Sequence, residues 1–168
     1  MQENDRYALF SASGGWIEKK PIFRERVYCY ELYHQLRNVL GDDFRYKLDG
    51  EVDKSGHPLF PPELARVKPD FIVHDPGNMK NLVAVEVKSI EVSDYKLRRD
   101  VWKLKKLLEM ENGYYKAIFL IYGDSENTIP EKIIKKVKKL IKGYEDRILL
   151  IWHPGPGKEP KILNDPTH

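Results

Sequence analysis

Asp70 and Glu86 lie eight residues on either side of Asn78. They sit in a stretch that reads as a β-hairpin: Pro69 to His74 as one arm, a turn-rich segment from Asp75 to Asn81, and Leu82 to Lys88 as the other. Folded about its middle, such a hairpin sets the two carboxylates opposite each other on one face, with Cβ atoms about 4.5–5.5 Å apart. That spacing lets both hold one divalent cation. Lys88 returns to the same face because side chains alternate along a strand. Val83, Val85 and Val87 fill one face, and Leu82 and Ala84 precede Glu86 on the other, so the second arm turns polar only at its end. An isolated charge in such a setting costs several kcal/mol or shifts its pKa, and clustered ionisable groups mark functional sites. The competing reading is a structural salt bridge on a solvated sheet face, against which this apolar pattern argues.

The order Pro69-Asp70, a turn, then an apolar strand ending in Glu86-Val87-Lys88 resembles the PD-(D/E)XK nuclease superfamily, over roughly Arg24 to Gly123. The resemblance implies an α/β, restriction-endonuclease-like sandwich: a central mixed β-sheet with a three-strand meander, flanked by helices. It implies a metal-dependent nuclease hydrolysing phosphodiester bonds, with DNA expected before RNA. Asp70, Glu86 and the backbone carbonyl of Val87 would hold Mg²⁺, with Mn²⁺ as substitute. Lys88 would orient or activate the attacking water and stabilise charge on the phosphate. The alternative is a catalytically silent or partner-dependent nucleic-acid-binding module of the same fold, and a homodimer is compatible with either.

Members of that superfamily often carry a glutamate on the helix before the hairpin, and this chain offers Glu25 and Glu31. At 100° per residue Glu25 falls about 20° from Leu32 and Glu31 about 100° away. Glu25 therefore lies on the inward stripe and is the fourth expected catalytic residue, with Glu31 as runner-up. Glu25 also suits a first helical turn, where an acid interacts with the helix dipole. Glu51 is a further candidate from the polar face of the preceding strand, with Asp53 below it. His57 and His74 are weaker, and Cys29 reads as core.

The elements that must position these groups follow from periodicity. A helix is expected from Phe23 to Leu40, with Cys29, Leu32, Leu36 and Val39 or Leu40 as its stripe and Gly41 as its stop. A strand alternates from Phe44 to Asp53, with Phe44, Tyr46, Leu48 and Val52 inward. After the hairpin come a helix from Ser93 to Glu111 with Leu97, Val101, Leu104 and Leu108 inward, and a buried strand from Tyr115 to Tyr122. A basic amphipathic helix from Pro130 to Lys142 and a strand from Arg147 to Trp152 complete the order. Residues 1–22 read as an N-terminal extension, 23–153 as the nuclease-like domain and 154–168 as an irregular tail.

At 168 residues the chain suits one domain with its own core. No apolar run approaches the ~20 residues that cross a bilayer, so no membrane partner is expected. One cysteine and the lack of a secretion signal at the start favour the cytoplasm. The net charge of +3 is unevenly spread: Asp94 to Lys142 holds thirteen Lys/Arg against seven Asp/Glu. A basic half beside an acidic site suits a polyanionic substrate. The expected phosphate contacts are Lys96, Arg98, Arg99, Lys103 and Lys106. A merely solvated, lysine-rich face is the alternative.

Overall fold

Both faces of the Leu82–Lys88 run must be covered if its valines and its alanine are all to leave water, and a sheet between helical layers does this. The computed structural model describes residues 24–50, 67–76, 78, 80–123 and 130–164. Its elements run α1 (Glu25–Leu40), β1 (Lys47–Gly50), β2 (Phe71–Asp75), β3 (Lys80–Ser89), α2 (Asp94–Glu109), β4 (Lys116–Tyr122), α3 (Glu131–Leu140), β5 (Ile148–His153) and β6 (Lys161–Ile162). The six strands form one mixed sheet in the order β1-β2-β3-β4-β5-β6. β1, β2 and β3 are an antiparallel meander, β3, β4 and β5 run parallel, and β6 returns antiparallel on β5. The expected α/β class, the mixed sheet and the meander are all present.

Alternation along the strands divides the core in two. Val85, Val87, Leu120 and Tyr122 face α1, where Tyr28, Cys29, Leu32, Tyr33, Leu36 and Leu40 pack. Ile72, Ala84, Ala117, Phe119, Ile121, Ile148 and Leu150 face the other way, against Leu97, Val101, Leu104 and Leu108 of α2 and Ile134 and Val137 of α3. The choice on α1 falls to Leu40, since Val39 is exposed.

Two helix ends show their sequence causes. Gly41 closes α1 at φ 69°, its N–H donating to the Arg37 carbonyl. Beyond α2, Gly113 N–H donates to Met110 O and Tyr114 N–H to Leu107 O. A Cβ on Gly113 would lie 2.5 Å from Leu107 O, so only glycine fits there.

Two expectations change. The strand expected from Phe44 begins at Lys47; Phe44 and Tyr46 precede it half-buried, packed ring against ring with centroids 5.9 Å apart. Glu51, Val52, Asp53 and His57 lie outside the described residues. The tail expected to be irregular contributes β6, held by Leu163 N–H donating to Leu150 O and by Asn164 accepting from Leu150 N–H. The Asn164 carboxamide also donates to Ile148 O, a local side-chain contact that hydrophobic periodicity does not register. Among the described residues no helix is long and apolar enough to cross a membrane.

Candidate functional site

The register Phe71↔Val85 and Ile72↔Ala84 carries Asp70, one residue before β2, to the position opposite Glu86. The hairpin folds about its middle as its sequence requires, with one irregularity between Val73 and His74 near the turn. Asp70 is fixed there because its Oδ2 accepts from the Val87 N–H at 2.7 Å. The Asp70 side chain thus caps the end of the β2–β3 pairing.

Lys88 is the centre of the cluster. Its Nζ donates to Glu25 Oε1 at 2.8 Å and to the Val87 carbonyl at 2.7 Å. It also lies 3.7 Å from Asp70 Oδ2, 3.5 Å from Glu86 Oε2 and 3.6 Å from Asp100 Oδ2. Four carboxylates, from α1, the start of β2, β3 and α2, thus surround one ammonium. Glu25 reaches it from the first turn of α1 and keeps 44 % of its side chain exposed, whereas Glu86 keeps 1 %. The cluster therefore has a wet side at Glu25 and a dry side at Glu86.

The dry side is completed by two α2 residues. Lys103 hydrogen-bonds Glu86 and lies 3.0 Å from Asp100 Oδ1, which also takes the Arg99 Nε at 3.1 Å. Asp100 is fully buried, and its Oδ2 accepts no hydrogen bond. Its place was legible: Asp100 falls about 40° from Leu104 on a helical projection, so it is an acid on the core-facing stripe, the same signal that singles out Glu25. Lys103, expected on the phosphate-contact face, is instead a member of the cluster. At about 100° from Leu104 it sits on the flank of the helix, where it reaches Glu86 rather than open solvent.

Burial raises the Glu86 carboxyl to about 8, helped by the charge of Asp70 and opposed by Lys103 and Lys88. Burial also raises Asp70, against Lys88 and the Val87 N–H. For Asp100, burial is outweighed by the bond and charge of Lys103, by Lys88 and by Arg99, which hold it below the usual carboxylate range. Burial works to lower Lys88, but Asp70, Glu86 and Glu25 together push it above the ordinary lysine value. Lys88 is accordingly an ammonium here: a donor and a positive charge, with no lone pair to take a proton from water.

Other expected residues fall elsewhere. Glu31 is exposed and accepts from Gln35 Nε2 at 2.7 Å on its own helix, so it does not join the cluster. His74 Nε2 pairs with Asp49 Oδ2 at 2.8 Å across β1 and β2. Lys96, Arg98 and Arg99 are exposed on α2, and Lys106 pairs with Glu109 Oε2 at 2.8 Å.

Among the described residues no three acidic, histidine or cysteine side chains are grouped to cage a metal. The donor set that fits is smaller: the carboxylates of Asp70 and Glu86 and the Val87 carbonyl, all hard oxygens of the kind Mg²⁺ takes alongside retained water. The Val87 carbonyl now accepts from Lys88, so a cation and the ammonium compete for it. Charge is compatible with entry. Glu25, Asp70, Glu86 and Asp100 face Lys88, Lys103 and Arg99, so the cluster carries one negative charge in excess once the raised Glu86 carboxyl gives up its proton.

No family model matches the chain, and no curated protein matches it.

Proposed function

We propose that the chain is a metal-dependent nuclease of the PD-(D/E)XK kind, built on a restriction-endonuclease-like sandwich and acting on DNA in preference to RNA. The observation that carries the reading is the convergence of Asp70, Glu86 and Lys88 at the ends of two adjoining strands, with Glu25 hydrogen-bonded to Lys88. Glu25 and Lys88 are separated by 63 positions in the chain.

Asp70 and Glu86 would hold Mg²⁺ with the Val87 carbonyl, and the bound ion would supply a nucleophilic water at neutral pH and offset charge on the phosphate. Glu25 orients Lys88 and, being half-exposed, faces the water or phosphate that approaches. Lys88 donates to the reacting oxygens and balances their charge. Lys103 holds Glu86 in place and offsets its charge.

One observation favours the silent alternative: Lys88 is paired with Glu25 and Lys103 with Glu86, as in a structural network. Labelled single-stranded, double-stranded and branched DNA, and RNA, incubated with the protein in Mg²⁺, Mn²⁺ or EDTA, separate the two. A nuclease cuts at least one substrate with either metal and none in EDTA, and Asp70→Ala and Glu86→Ala lose that activity. Binding without metal-dependent cutting selects the silent module. Equal cutting by wild type and both variants defeats the assignment.

A further inference from the structure

The α2 helix shows an aromatic face that neither the core nor the carboxylate cluster uses. Tyr95 is 73 % exposed and Trp102 46 %, both large side chains left in water near the site. On a helical projection Trp102 and Lys106 fall within about 20° of Tyr95, and Leu104 points about 180° away into the core. The flanks of α2 are both accounted for. On one, Asp94 pairs with Lys136 of α3, and Lys105 lies over the Tyr144 ring. On the other, Asp100 and Lys103 join the cluster.

From the cluster outward the order around the helix is therefore Lys103, then Arg99 at about 40° from Tyr95, then Tyr95 and Trp102. Arg99 joins the two regions by position: its Nε lies 3.1 Å from Asp100 Oδ1, while its place on the helix is next to Tyr95. Tyr95 and Trp102 stand about two turns apart, roughly 10 Å along the axis, which leaves room for a stacked base on each. Exposed aromatic faces interleaved with cations are what a single-stranded polynucleotide binds: bases stack, and arginines follow the phosphates. A duplex offers its phosphates but keeps its base faces stacked inside.

We infer that the outer face of α2 is a single-strand track, on which Tyr95 and Trp102 stack bases while Arg99, on their cluster side, follows the backbone toward Lys88. The inference rests on the nuclease reading only for where the strand leads; the stacking itself needs no catalysis.

The test is a titration in EDTA, where no metal-dependent cutting occurs, following the anisotropy of dye-labelled oligo(dT), oligo(U) and duplex oligo(dA)·oligo(dT) for every variant, with tryptophan fluorescence recorded beside it for wild type. Wild type should show quenching with the single strands, and tighter binding to them than to the duplex; the tighter of the two single strands identifies the sugar. Trp102→Ala and Tyr95→Ala should each weaken single-strand binding about tenfold and leave duplex binding nearly unchanged, since stacking contributes of that order per base. Trp102→Phe should recover most of the affinity, and thermal melts matching wild type would show that the fold is intact. The proposal is overturned if both alanine variants bind single strands as wild type does, or if they lose duplex binding equally. It is also overturned if wild type binds no strand and sedimentation shows a self-association that Trp102→Ala abolishes, because the face is then a contact between copies. Failure of the nuclease reading looks different: no metal-dependent cutting, with single-strand binding and its loss in the alanine variants preserved.

Discussion

Lys103 of α2 hydrogen-bonds the carboxylate of Glu86 on β3, and does so from a position only 14 % exposed. A cation placed there cannot follow a phosphate backbone without leaving a buried acid uncompensated. Its effect on nucleic acid is expected to be indirect. Lys103→Met should raise the Glu86 pKa further, because the variant removes an opposing charge and a hydrogen bond. Apparent Mg²⁺ affinity near neutral pH should weaken, since the ion must displace a proton held more tightly. Calorimetric Mg²⁺ titrations across pH check this, and unchanged affinity with a shallower salt dependence of DNA binding would return Lys103 to the phosphate track.

Glu86 also sets an expected pH dependence of stability. Its ordinary value is 4.5, and in the folded protein it is raised to about 8. Between these values the folded state holds a proton that the unfolded chain has released, so stability falls as pH rises across that window. Asp70, also raised, acts in the same direction. Urea unfolding in EDTA should give a midpoint that declines from about pH 5 to pH 8, and Glu86→Gln should flatten the decline. Saturating Mg²⁺ should oppose it increasingly toward alkaline pH, because the ion favours the ionised carboxylate. A midpoint independent of pH in EDTA would contradict the buried, raised carboxyl.

Lys88→Ala leaves four acids facing one another with no central cation. Breaking a buried charge network by removing one partner typically destabilises by about 3–5 kcal/mol. Thermal melts should show a loss of stability in EDTA and a larger Mg²⁺-induced stabilisation than in wild type, since the ion then fills the place of the ammonium. Cleavage should fall by about 10²–10⁴ with little change in DNA affinity, the scale expected when a group acts on the reacting atoms. A variant that cuts normally and binds weakly would make Lys88 an anchor only.

The hairpin register, the meander and the two acids were legible because strand alternation fixes which side chains share a face, and the Pro-Asp and Glu-Val-Lys ends mark where polarity breaks in. Glu25 was legible because an acid on an apolar stripe needs a partner. Asp100 carried the same mark and shows that the signal was there to be applied to α2 as well. Lys103 was not separable from its neighbours on charge alone: Lys96, Arg98, Arg99, Lys103 and Lys106 are chemically alike, and which of them turns inward depends on where α2 crosses β3. β6 escaped because its two residues are held by Asn164 and by the β5 edge, not by a pattern of its own.

The exposed cations of α2 remain the expected phosphate contacts, with Lys103 removed from the set. Lys96, Arg98 and Arg99 are exposed, but Arg99 is bound to Asp100, and Lys106 is bound to Glu109. Each phosphate neutralised on duplex DNA contributes about −0.9 to the slope of log affinity against log salt. Lys96→Gln with Arg98→Gln should make that slope shallower by about 1 to 2 while leaving Mg²⁺ binding at Asp70 and Glu86 unchanged, because neither side chain takes part in the carboxylate cluster. The measurement is duplex binding of wild type and double variant in Ca²⁺ across several salt concentrations, with the Mg²⁺ titration run beside it. An unaltered slope would show that these two exposed cations belong to an ordinary solvated surface and that duplex phosphates are gripped elsewhere.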